Sequence, residues 1–211
     1  VTGVQTCALP SWFMGNASKR RSSAMSETEH GFFRHGDNSY LANFSESERE
    51  VLTNLVQQII ELLAERVDHH NDDPLAAMVG ITVHDTPPED EVLLRLLPNA
   101  YADQVDASEF RRYTESTLRQ KKQAHAMAMR MHLQEAINGE IELDHDGANA
   151  WLGAMNDVRL ALGVRLKVEE NSHEDLELLA PDDPMRAVYA VYSWLGWLQE
   201  SLISALMDDS E

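Results

Sequence analysis

From Asp106 to Ile137 the chain contains neither proline nor glycine, and Glu, Arg, Lys, Gln, Ala, Met and Leu dominate. Residues of that kind lose little freedom in a helix, so one long helix is expected there. A rod of roughly 45 Å needs neighbours of comparable length, which restricts the fold to a helical assembly. The flanks supply them. Ser45 and Glu48 form a capping box, opening a helix to about Val67 whose apolar residues Leu52, Leu55, Val56, Ile59, Ile60 and Leu63 recur at spacings of three and four. Asp144 or Asp146 caps a helix to about Leu162, with Trp151, Ala154, Met155 and Val158 as its buried stripe. Asp183 with Pro184 starts a final helix carrying Val188, Val191, Tyr192, Leu195, Leu198, Leu202 and Leu206.

Two shorter helices are expected, one from Asp73 and Pro74 to Val79, the other from Glu89 to Leu97 before Pro98. Ile141 to Leu143 reads as a brief extended piece. The fold class is therefore all-α, a bundle of about four long and two short helices, occupying residues 45–208 as a single domain. Residues 25–44 read as a flexible N-terminal segment with a short strand around Phe32 and Phe33. Residues 1–24 read as a non-native tail: VTGVQTCALP looks like translated sequencing-adapter DNA, which would place the true start at Met25. Dropping that tail would remove Lys19, Arg20 and Arg21 and make the chain more acidic still.

Charge bounds the function. There are 36 acidic residues against 17 basic ones, a formal charge of -19, which repels nucleic acid and anionic membranes at long range. The most apolar stretch, Ala187 to Leu198, is too short to span a bilayer, so a cytoplasmic protein without membrane contact is expected. Cys7 is the only cysteine; no disulfide or thiolate metal site can form within the chain. His69 and His70 lie among Asp68, Asp72 and Asp73, and Glu-x-x-His occurs at Glu27, Glu142 and Glu170, but none of these lies inside a helix that could aim both groups inward, so no metal is assigned. Neither a nucleophile elbow nor a phosphate loop is present. No catalytic residue, cofactor or redox centre is expected, and the chain reads as a non-enzyme.

One segment could carry a binding function. Arg111, Arg112, Arg119, Lys122 and Arg130 fall within about 100° of arc on the long helix, with Phe110, Tyr113, Thr117, Ala124, Met127, Ala128 and Met131 roughly opposite. On this reading the apolar side packs inward and the five cations form a ridge able to meet DNA phosphates, which could be reversed in charge without unfolding the helix. The competing reading docks the ridge on acids of the same chain, with Arg111 and Arg119 pairing to Glu115 at i,i+4. The wide apolar surface of the last helix, with Tyr189, Trp194 and Trp197, suggests a homodimer contact.

Three stretches together resemble one family: Arg95 to Tyr101 followed by Glu109 to Glu115, Trp151 to Gly163, and Tyr192 to Glu200. In that order they are similar to the actinobacterial domain of unknown function 2017 family, also called the oxidative-stress regulator AosR family. The resemblance implies a dimeric transcriptional regulator whose gene lies near those for a Clp protease adaptor and for cysteine synthesis. It leaves two functions open: a regulator touching DNA through the basic ridge, and an acidic protein-protein adaptor without DNA contact. Redox sensing in the family is associated with a closely spaced cysteine pair, which this sequence lacks.

Overall fold

The computed structural model describes residues 31–64, 86–169, 172–180 and 182–208. The expected helix from Asp73 to Val79 and the acidic cluster around His69 and His70 lie outside them. In chain order the elements are β1 (Phe32–Arg34), β2 (Tyr40–Asn43), α1 (Glu46–Ala64), α2 (Glu91–Leu96), α3 (Gln104–Glu135), β3 (Glu140–Leu143), α4 (His145–Leu166), α5 (Ser172–Glu177) and α6 (Pro184–Met207).

The helix starts follow the side chains that satisfy free amides of the first turn. Glu48 accepts from the backbone N–H of Ser45 at 2.8 Å, while its own N–H donates to Ser45 Oγ at 3.3 Å, closing the capping box. Asp90, Asp103, Asp144 and Asp183 each accept from amides two or three residues onward. Asp103 sets the start of α3 slightly earlier than composition suggested. Between Asp144 and Asp146 the choice falls on Asp144, whose Oδ1 takes the Gly147 N–H at 2.7 Å.

Helix α4 is the hub, packing against α1, α2, α3 and α6, while α1 also lies along α3. Its side chains Trp151, Ala154, Met155 and Val158 are buried as expected. The all-α expectation needs correction, because β1, β2 and β3 form a three-stranded antiparallel sheet in that order. Phe32 faces Ala42, and Ala42 faces Ile141. Within the segment expected to be flexible, Phe32–Arg34, where a short strand was expected, and Tyr40–Asn43 are strands with a buried face, and the extended piece expected at Ile141 to Leu143 is β3. Phe32 and Phe44 close on Trp151 with ring centroids 5.4 and 5.8 Å away, and the Phe32 N–H donates to Ser201 Oγ of α6 at 3.1 Å. The sheet meets the C-terminal part of α6 around Ser201, while of the aromatic residues that suggested a dimer contact Trp194 is buried and Trp197 remains 40% exposed. Aromatic clustering between segments so distant in sequence has no periodicity for a reader to find.

Gly139 makes the turn into β3 possible. It sits at φ +90°, and a Cβ there would come within 2.3 Å of the Phe44 carbonyl oxygen, so only glycine fits without moving backbone. Among the described residues, no helix is long and apolar enough to cross a membrane.

The two faces of the long helix

The expected orientation of α3 is reversed. Arg111 and Arg119 are 5% and 7% exposed, whereas Phe110, Tyr113, Met127 and Met131 are among the exposed large apolar residues, Tyr113 at 55%. The wheel separated the two faces correctly and the rule that apolar faces turn inward failed.

The reason lies in the ends of two neighbouring helices. Glu115 sits between the guanidiniums, its Oε2 2.5 Å from Arg111 Nη1 and its Oε1 2.9 Å from Arg119 Nη2. Arg111 Nη2 donates onward to the Leu97 carbonyl at 3.1 Å and to Asn99 Oδ1 at 2.7 Å. Arg119 Nη1 donates to the Leu63 carbonyl at 2.8 Å. Leu97 is the C-cap of α2, and Leu63 lies in the last turn of α1. The ladder therefore answers one carbonyl at the end of each of two helices, a group that helix geometry leaves without a partner, and places positive charge at the negative ends of both helix dipoles. No basic residue in the last turn of α1 does this locally. Burial would raise the Glu115 carboxyl, but hydrogen bonds and charge from Arg111 and Arg119 outweigh it and hold it below its ordinary value.

The remaining ridge residues divide. Lys122 reaches across to α4, its Nζ 2.5 Å from Asp157 Oδ1; burial pushes the Asp157 carboxyl up despite that ammonium. Arg130 Nη1 donates to Gln57 Oε1 of α1 at 2.7 Å. Arg112 alone of the five candidates is exposed; Lys121, also exposed, lies on the opposite side of the helix. Along the same helix His125 packs against Gly153 of α4, where a Cβ would lie 2.2 Å from Nδ1. Its imidazole is shifted down by burial and then by the charge of Lys121. Trp151 Nε1 donates to His132 Nδ1 at 3.1 Å.

The outer face is chemically plain. Phe110, Tyr113, Thr117, Gln120, Ala124, Met127, Met131 and Gln134 project from it, and between Phe110 and Gln134 the helix contains one acid, the buried Glu115. Tyr101 packs edge-on against Phe110 at 5.5 Å and is itself half exposed. Among the described residues no cluster of three metal-binding side chains occurs.

The segments that carried the family resemblance are the joints of this architecture. Leu97, Asn99, Arg111 and Glu115 make the ladder, Trp151, Gly153 and Asp157 fix α4 to the sheet and to α3, and Arg159 of the same segment binds Gln199 Oε1 at 2.6 Å and lies over the Tyr192 ring at 4.9 Å. Comparison with known proteins agrees. A protein from Mycobacterium tuberculosis named oxidative stress regulator AosR is 34% identical over 185 residues, covering 80% of this chain and 82% of the relative. A protein of the same name from Mycobacterium bovis matches to the same extent. No solved structure matches. The family model for DUF2017, a domain of unknown function, matches residues 27–206, and the chain belongs to that family.

Proposed function

We propose that this protein is a regulator in the response to oxidative stress that acts through protein contacts rather than by laying a basic helix on DNA. The regulatory role is supported by the similarity to proteins named oxidative stress regulator. The mode of action rests on one observation: the most basic helix turns Arg111 and Arg119 into the fold and engages them there. A charge of -19 adds long-range repulsion of phosphates. Of the cations on which the competing DNA-contact reading rests, Arg112 is exposed, and Lys121 is a further exposed cation on the same helix.

Fluorescence anisotropy with labelled fragments of the host genome tests the two readings. At about 50 mM salt, DNA contact would give binding that weakens steeply with added salt and is lost in Arg112→Glu with Lys121→Glu. The protein-contact reading expects no such binding, and crosslinking in the host should recover protein in preference to DNA. A host lacking the gene should be sensitised to peroxide, and the Cys7→Ser chain should restore resistance as well as the native one. Failure of both chains to change peroxide survival removes the stress role.

A further inference from the structure

The outer face of α3 has an arrangement that a solvated helix does not need. Its residues Phe110, Tyr113, Thr117, Gln120, Ala124, Met127, Met131 and Gln134 are separated by three, four, three, four, three, four and three positions. That alternation is the spacing of a helix–helix seam, in which every side chain of the row meets a facing helix of the same kind. Residues of the other face are already packed on α1 and α4, whereas the row is exposed along its length, with Phe110 at its start meeting the Tyr101 ring. We infer that this row is the seam through which a second copy of the chain packs, α3 against α3.

Charge selects that occupant. Two bodies of charge -19 can approach only where neither presents acids, and between Phe110 and Gln134 the outward surface of α3 presents none. The positions flanking the row are Glu109, Ser116, Gln123 and Arg130 on one side and Thr114, Lys121, Ala128 and Glu135 on the other. In a parallel pair these would set Ser116 beside Lys121 and Arg130 beside Glu135 of the other copy, with no like charges facing. Thr117 and Gln120 within the row are polar, the feature that fixes register in such seams at some cost in strength. The row is roughly 36 Å long, so two helices meeting along it cover on the order of 1,000 Å² in all. That is the low end for a specific interface, and the pair should dissociate on dilution.

Sedimentation velocity from about 1 to about 100 µM, where weak interfaces of this size assemble, should show the native chain moving from monomer to dimer. Tyr113→Glu with Met127→Glu should stay monomeric throughout, and because both side chains are exposed, its helical circular dichroism and urea midpoint should match the native chain. Ile203→Glu on the exposed edge of α6 should dimerise normally. A native chain that stays monomeric at the highest concentration overturns the inference. So does a folded Tyr113→Glu, Met127→Glu chain that dimerises as well as the native one, or dimerisation lost in Ile203→Glu alone.

Discussion

Glu115 decides more of this fold than any apolar residue on its helix. A buried carboxylate between two buried guanidiniums is stable only as a complete set, since removing one member leaves uncompensated charge in a medium that solvates it poorly. Glu115→Gln should therefore cost about 3–5 kcal/mol, read as a lowered urea midpoint, whereas Arg112→Glu on the exposed side should cost under about 1 kcal/mol. The same residue gives a pH signature. Its folded-state value lies below its ordinary one of about 4.3, so its contribution is fully present above that ordinary value and disappears as pH falls through the lower, folded value. Asp157 has the opposite sign: with its value raised in the fold, stability declines as pH climbs through the window between its ordinary and its raised value. The native chain should lose stability on the acid side more steeply than Glu115→Gln does, and equal slopes in urea titrations at several pH values would remove the ladder from the account.

At the scale of elements, what was legible in the sequence was what local chemistry controls. Capping residues such as Ser45 with Glu48 and Asp183 before Pro184 act within one turn, so the helices they start were readable directly. Short extended pieces at Phe32 and at Ile141 were readable too, but β2 and the pairing of the three strands were not, because β1 packs on Trp151 and Ser201, far away in the chain. The faces of α3 were legible as two faces but not as inside and outside. An i,i+4 ladder of Arg111, Glu115 and Arg119 looks alike whether it is solvated or caps the carbonyl ends of α1 and α2, and only tertiary placement distinguishes these. The joint between α3 and α4 offers a test. Gly153→Ala would drive a methyl into His125 and should lower the thermal midpoint by several degrees, in line with about 1–3 kcal/mol of overpacking. Adding His125→Ala should return part of that loss, because the two sites share one space. Additive losses would show that the contact is not limiting.

For the molecule as a whole, family membership was legible because the segments that carry it are joints, and joints have demanding geometry. Function was less so, for the same reason: a motif that records how helices meet does not record what the assembled surface meets. The absence of a paired cysteine, visible in the sequence, leaves Cys7 as the sole thiol. A single thiol cannot close an intrachain disulfide, so Cys7→Ser should leave any oxidant response of this chain unchanged.

By drawing Arg111, Arg119 and Lys122 inward against Glu115 and Asp157, α3 engages these cations within the fold, and the exterior keeps the strongly acidic balance of the whole chain. Dissolved ions then become a reactant with a definite sign. Two such bodies coming together concentrate their counterion clouds and take up cations, so self-association should strengthen as potassium chloride is raised from about 50 to about 300 mM. Contact with DNA would expel cations and weaken over the same range. The direction in which the assembled fraction moves with salt therefore tells which kind of surface this helix has left outside.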